Sequence, residues 1–398
     1  MSVSRRSFVA TLGAGATGLI GAPVFSWRGH EALLAQQQQQ PAPPEPHAER
    51  LLASLPGMVR LDSNENPNGP GQRALAAISK HFYEANRYPV KAPDDLIETL
   101  AGVRGVKPEN ILLGCGSGEI LRVAVQAFTS RDLALVAPDP TFESPGNFAR
   151  FLGTPVRAPK VDANLALDLD TTAAAAKGAG LVYYCNPNNP TATVHTASDT
   201  KAFVETVLRS SPNTTILIDE AYHEYVANPG YATMIPLAIA NPRVVVARTF
   251  SKVYGMAGLR IGYAIGQPAT LKRMQAWVLG SGVNQLALAA AIATVGDTAH
   301  IADDVKKNAA ARDFTRKFFE GAGYRVFPTD ANFLMVDIKR DSKQFKMDCV
   351  KEKVAIGRQF SSLPNYTRIS IGTMAEMKKA VPAFEKVLSA RAATSQHH

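Results

Sequence analysis

The chain has 398 residues, 46% hydrophobic and 19% charged, which describes a soluble globular protein long enough for one large two-part enzyme or two to three small domains. Its net charge of +9 is modest and no Lys/Arg-rich block concentrates it, which argues against a nucleic-acid partner and suits small anionic ligands. Three scattered cysteines, Cys115, Cys185 and Cys349, leave no basis for a disulfide framework or a zinc site, and no metal is expected.

Ser4-Arg5-Arg6-Ser7-Phe8 opens onto a weakly apolar run from Val9 to Val24, shorter than the roughly 20 residues a membrane-spanning helix needs. Paired arginines before a short Gly/Ala-rich apolar run resemble a twin-arginine export signal. Residues 1–35 are therefore read as an address, with cleavage near Ala35, the export machinery as partner and the periplasm as destination; the alternative is a merely frayed basic leader. Gln36 to Gln40 and Pro41-Ala42-Pro43-Pro44-Glu45-Pro46 cannot bury a core, so residues 36–47 read as a flexible, partly polyproline tether.

Beyond the tether, strand-like and helix-like runs alternate. Ile111-Leu112-Leu113 leads into Gly114-Cys115-Gly116-Ser117-Gly118 and then a helical spacing from Glu119 to Val125. Leu133 to Val136 is a short buried strand stopped by Pro138 and Pro140, and Leu181 to Tyr184 is stopped by Asn186-Pro187. Thr215 to Ile218 ends at Asp219-Glu220, and Val244 to Ala247 ends at Thr249-Phe250-Ser251-Lys252. Helix-length segments between several of these strands predict an α/β fold with a mainly parallel sheet flanked by helices.

Ligands collect at the carboxyl ends of strands in such sheets. Here those ends hold a glycine-rich turn, an Asn-Pro cluster, an aspartate and a lysine. Each alone has an ordinary reading: a tight turn, a loop, a helix N-cap at Asp219, a solvated loop amine at Lys252. Together they supply a lysine amine, a carboxylate and backbone N–H donors before a helix, the set that pyridoxal phosphate requires.

The chain resembles the fold-type-I aminotransferases, and within them the histidinol-phosphate aminotransferase branch. The resemblance runs from about Leu61 to Thr373. It rests on Leu61-Asp62-Ser63-Asn64-Glu65-Asn66-Pro67, Arg87-Tyr88-Pro89, Gly114 to Glu119, Asn186-Pro187-Asn188-Asn189-Pro190-Thr191, Asp219-Glu220-Ala221-Tyr222, Thr249 to Lys252, Ala257 to Gly262, and Arg368 to Gly372. It implies a pyridoxal-phosphate enzyme moving an amino group between an amino acid, or a histidinol phosphate-like amine, and a 2-oxo acid. Lys252 would carry the cofactor as a Schiff base and shuttle the substrate proton, its pKa lowered by burial beside Arg260. Asp219 would pair with the ring nitrogen, Asn189 and Tyr222 would hydrogen-bond the ring oxygen, and Phe142 would stack on the ring. The amides around Gly116 and Ser117, with Thr249, Ser251 and Arg260, would hold the phosphate. Tyr88 would reach the phosphate of a neighbouring subunit, implying a homodimer with shared sites. Arg368 would bind the substrate carboxylate, or another anionic group; Arg358 is a second candidate for an anionic group, its plainer reading being a surface arginine at a strand end; and the Asn64 segment would close over the substrate as a lid.

Three positions depart from that branch: Phe142 where tyrosine is frequent, Ala192 where glycine is usual, and Gly118 where an acid is common. Histidine synthesis is cytoplasmic, so an exported member is expected to use another amino donor. The expected layout is a large cofactor-binding domain over residues 86–290 and a smaller α+β domain from 48–85 with 291–392. The rival readings are a decarboxylase or carbon–sulfur lyase on the same scaffold, and a non-catalytic ligand-binding protein. The latter predicts damage to Lys252, Asp219 or Arg260, and all three are intact.

Overall fold

A computed structural model describes residues 56–389. The proposed export signal, the tether and the chain ends assigned to the smaller domain (48–55 and 390–392) lie outside the described residues.

Among the described residues, twelve strands form three sheets. β1 is Val59–Leu61, β2 Ile111–Gly114, β3 Leu135–Val136, β4 Val156–Arg157, β5 Leu181–Cys185, β6 Thr215–Asp219, β7 Val244–Thr249 and β8 Gly262–Ile265. β9 is Arg325–Val326, β10 Phe333–Asp337, β11 Val354–Ile356 and β12 Tyr366–Ser370. The large sheet has the order β2-β8-β7-β6-β5-β3-β4. From β4 to β7 each pairing is parallel, and β8 runs antiparallel to both β7 and β2. The expected mainly parallel sheet flanked by helices is therefore the fold.

Every residue of β5, β6 and β7 is buried, because helices cover both faces and side chains alternate between two cores. Val182, Tyr184, Ile216, Ile218, Val244 and Val246 face one core, to which the helices Gln72–His81, Ala92–Arg104, Ala197–Ser210 and Gln285–Thr294 contribute. Leu181, Tyr183, Leu217, Val245 and Ala247 face the other, closed by the helices Ser117–Phe128 and Pro268–Gln275. Ala74 sits in the first core, so the segment 48–85 divides: β1 joins the smaller sheets while the helix after it packs on the large one.

The smaller sheets are β12-β10-β9, antiparallel, and β1 parallel to β11. Leu334, Val336, Ile356 and Ile369 build their core with Phe319, Phe345 and Phe384 from the helices Thr298–Gly321, Ser342–Lys351 and Met374–Ser389.

β8 has no counterpart among the strands read from sequence. It is four residues long and starts at Gly262, where an added Cβ would lie 2.3 Å from the Ser117 amide nitrogen and 2.9 Å from the Arg248 carbonyl oxygen. Only glycine lets this strand press against the start of the helix Ser117–Phe128.

Behind the strand ends lies a buried charge network. Arg248, on β7, donates through Nε to Glu220 at 2.8 Å and through Nη2 to Thr233 at 3.0 Å, and its Nη1 lies 3.4 Å from Glu224. Glu220 also accepts from the Thr233 hydroxyl and the Met234 amide. Arg104 donates to the hydroxyls of Tyr254 and Tyr263. Breaking one partner out of such a pair typically costs about 3–5 kcal/mol because the other charge stays buried, so the network locks the ends of β6 and β7 in register.

Candidate active site

The loop after β7 delivers Lys252. Its Nζ donates to the carbonyl oxygen of Asn64 at 2.9 Å and lies 5.5 Å from the centroid of the Tyr222 ring. Burial, and then the positive charge of Arg368, press its pKa down to about 8; Arg260 acts in the same direction but less. The expected neighbour was Arg260, so the geometry assigns the stronger influence to a different arginine, which comes from β12.

Asp219 is the last residue of β6 and is buried. Its Oδ2 accepts from the Tyr183 hydroxyl at 2.8 Å and its Oδ1 from the Ala221 amide at 3.1 Å. Burial pushes its pKa up to about 6 against those two hydrogen bonds and the charge of Lys252. Asp219 pairs with Ala247 of the parallel neighbour β7, whose end leads into the loop that carries Lys252, so the two side chains lie at one end of the sheet.

At the end of β2 the chain turns through Gly116, with φ of 76°, into the helix Ser117–Phe128. No side chain caps that helix; the Glu119 amide donates to the Gly116 carbonyl at 3.1 Å, and the amides of Ser117 and Gly118 before it are donors suited to an anion. An added Cβ at Gly116 would lie 2.4 Å from Nη2 of Arg260, which shows how closely the guanidinium lies over the turn. Arg260, itself left-handed at φ of 59°, donates to the Ala257 carbonyl at 2.8 Å and approaches Ser251 Oγ at 3.5 Å. The Thr249 hydroxyl accepts from the Ser251 amide and shapes the loop. A helix start, a hydroxyl and a guanidinium converge here as an anion cradle.

Arg368 lies opposite, buried on β12. Nη1 donates to Asn189 Oδ1 at 2.8 Å and Nη2 to the Asp62 carbonyl at 2.7 Å, while Nε is buried without a partner. Burial lowers its pKa to about 10. Asn64, with 1% of its surface exposed and φ of 52°, is a junction. Its Nδ2 donates to the Tyr222 hydroxyl at 3.2 Å and its Oδ1 accepts from Ser370 Oγ at 2.7 Å. Its amide donates to the same hydroxyl, and its carbonyl accepts from Asn332 as well as Lys252. The segment expected to behave as a lid is thus tied into the site at this residue.

Lys252, Asp219, Tyr222, Asn189, Asn64 and Arg368 therefore come together, with Gly116, Ser117, Thr249, Ser251 and Arg260 forming the cradle. Phe142 is half-buried in the loop after β3, packed on the second core. Ala192, at φ of 64° and fully buried, occupies the left-handed conformation that explains a preference for glycine there. Gly118 faces open space, and its neighbour Glu119 supplies the acid of the turn by accepting from the Cys115 amide at 2.6 Å. Arg358 lies farther out, paired with Glu143. Tyr88 is 84% exposed beside His81, Glu84 and Arg87, away from the other site residues of its own chain. Sequence reasoning missed Tyr183, Ser370, Asn332 and Glu143. Ser370 was findable, since it stands two residues from Arg368 and so on the same face of β12.

The residues fit pyridoxal phosphate on observations independent of any relative: a helix start with no side-chain cap under a guanidinium, a buried carboxylate raised toward neutrality that a cationic ring nitrogen would satisfy, and a lysine amine depressed toward its reactive neutral form. Fold and site together define a pyridoxal-phosphate-dependent enzyme of fold type I. Residues 56–384 match the model of the family "Aminotransferase class I and II", and the chain belongs to that family. It is 33% identical to a histidinol-phosphate aminotransferase of Moorella thermoacetica over 90% of this chain and 92% of that one. It is 34% identical to an aromatic amino acid aminotransferase of Mycobacteroides abscessus over 81% and 91%. The structure of histidinol-phosphate aminotransferase from Sinorhizobium meliloti in complex with pyridoxal-5'-phosphate superposes with a TM-score of 0.81 at 26% identity, covering 89% of this chain and 96% of that one. The protein is an aminotransferase.

The charge balance around Lys252 sets a pH dependence for attack of its amine on a carbonyl, and so for cofactor uptake if this amine is the one that receives it. Only the neutral amine attacks a carbonyl, and its pKa is near 8, so the rate at which the cofactor-free protein takes up pyridoxal phosphate rises with pH with a midpoint near that value. R368Q removes the cation that most depresses the amine, and the midpoint moves up. A stopped-flow absorbance profile against pH checks both; a midpoint unmoved in R368Q contradicts the assigned cause.

Proposed function

We propose that Lys252 is the residue that bears the cofactor and carries the reacting proton, and that the amino donor is an α-amino acid whose carboxylate is received by Arg368. The observation that supports the second part is the Arg368 side chain, a buried cation with two donors committed to the protein and Nε left without a partner. A guanidinium desolvated to that degree favours a carboxylate counter-charge. Relatives named for histidinol phosphate and for aromatic amino acids stand at nearly equal identity, so identity alone does not select the donor.

Pyridoxal phosphate, when bound, supplies an electron sink for the charge that develops as the substrate's α-proton leaves. In this reading Asp219 holds the ring nitrogen protonated and keeps that sink effective. Asn189 and Tyr222 would donate to the ring oxygen, Phe142 would cover one face, and the Gly116–Ser117 amides with Thr249, Ser251 and Arg260 would hold the phosphate. Lys252, whose neutral form is favoured by burial and by Arg368, would take the proton from the substrate's α-carbon and hold it at Nζ. Asn64 fixes where that amine rests through its carbonyl, and Tyr222 and Ser370 fix Asn64.

Tyr88 completes the phosphate site of a second copy in this proposal, making the protein a homodimer with shared sites. The exposed side chains of Phe82, Tyr83, Tyr88 and Val90, close together in the chain, support it, since exposed apolar surface marks association sites. A solution mass of twice the chain's is expected by light scattering; a monomer that binds cofactor normally would count against it. Export by the twin-arginine route is likewise proposed, on Arg5 and Arg6. Changing both to Lys should hold the protein in the cytoplasm, and an unchanged periplasmic fraction would refute that route.

K252A should abolish both the visible absorbance of the loaded protein and amino transfer. The donor is found by presenting wild-type enzyme with a panel of amino acids, histidinol phosphate and 2-oxoglutarate. Amino transfer from an α-amino acid, lost on R368Q, is the expected result. Activity confined to histidinol phosphate, or carbon dioxide released without amino transfer, would overturn the reading.

A further inference from the structure

Glu143 follows Phe142 in the loop after β3, and its carboxylate forms an ion pair with Arg358 from the loop after β11. A second tie joins the same two loops, from Ser362 Oγ to Asp139 Oδ1 at 3.0 Å. Arg358 and Arg368 lie against one ring: their guanidinium carbons are 4.7 and 5.7 Å from the centroid of the buried Phe360, and therefore within about 10 Å of each other. Arg368 registers both members of the pair, since Arg358 lowers its proton affinity and Glu143 raises it. The two side chains are 38% and 43% exposed, so they remain open to a molecule entering beside Arg368.

Two bare arginines at this spacing would hold a substrate with an anion at each end. Glu143 changes the balance. It engages the second guanidinium with a carboxylate of the chain's own, so a second anion on the substrate must displace it or sit beside a like charge, which is unfavourable. A substrate with an uncharged side chain meets no such opposition and finds the ring of Phe360 beside both arginines. We propose that Glu143, by pairing with Arg358, is a specificity-determining residue that disfavours substrates carrying a second anionic group and favours monocarboxylate amino acids. This rests on the reading that Arg368 receives the α-carboxylate.

The test is equilibrium binding of unreactive acids to the cofactor-loaded protein, followed by the change in its visible absorbance: butyrate with one carboxylate, glutarate with two. In E143Q the ratio of the butyrate to the glutarate dissociation constant should rise about fivefold, the effect of a partly exposed charge contact. In R358Q it should fall, because Glu143 is then left uncompensated. An unmoved ratio in E143Q at unchanged melting temperature reduces the pair to a loop clamp and overturns the inference. Should E143Q fail to fold, R358Q decides alone, and a ratio that stays or rises there overturns it. Butyrate binding equally well to wild type and R368Q would instead remove the carboxylate site itself, and the inference with it; an intact Arg368 dependence with an unmoved ratio removes only the role of Glu143.

Discussion

The amine of Lys252 is held against the carbonyl of Asn64 in a place where burial and a buried arginine both favour its neutral form. The carboxylate of Asp219, in the same site, is also pressed toward neutrality by burial. Two ionisable groups of opposite type, each shifted against its charge, leave a region prepared for a ligand that brings its own positive ring nitrogen to one and a carbon electrophile to the other. Perturbed titration of this kind clusters where chemistry is done. The remaining structure holds these two groups in place.

That arrangement depends on the large sheet at one end and on a single asparagine at the other. β6 and β7 are parallel neighbours, which puts Asp219 and the loop to Lys252 side by side. Arg248 and Glu220 pair directly behind them, so neither strand end can slide without separating buried charges. Asn64 closes the other side. It belongs to the segment that follows β1, contacts Ser370 of β12, and reaches Tyr222 and Lys252 of the large sheet's loops. Asn66, two residues on, donates to the carbonyl of Val253 beside the lysine and to Asp304 of the helix Thr298–Gly321. A displacement of this segment would be felt at the amine.

Electrostatics also distinguishes the two ends of the site. The cradle at Gly116 is made from backbone N–H groups and an exposed arginine, a combination that accepts a multiply charged, partly hydrated anion. The Arg368 end is a buried guanidinium between the rings of Phe333 and Phe360, which suits a single carboxylate gripped away from water. The carboxylate of Glu143 engages the neighbouring guanidinium of Arg358, which offsets the positive charge at that end.

Much of this was legible before any coordinates. The apolar runs of β5, β6 and β7 declared a sheet covered on both faces, because continuous burial leaves continuous hydrophobicity. The polar residues that stop those runs, Asn186 to Asn189, Asp219 and Lys252, marked the end of the sheet where a ligand belongs. Local sequence could not disclose β8, whose four residues form a strand only because Gly262 fits beneath the Ser117 amide, nor the helix Gln72–His81 docking on the large sheet. It could not show that Arg368 outweighs Arg260 at Lys252, that Asn64 is a buried junction, or that Glu143 meets Arg358 across 215 positions. Chain order determines which residue ends a strand, because that is a local matter of apolar run and stop. Which charges oppose each other across the site was decided by packing alone, since electrostatic influence follows distance and burial in three dimensions.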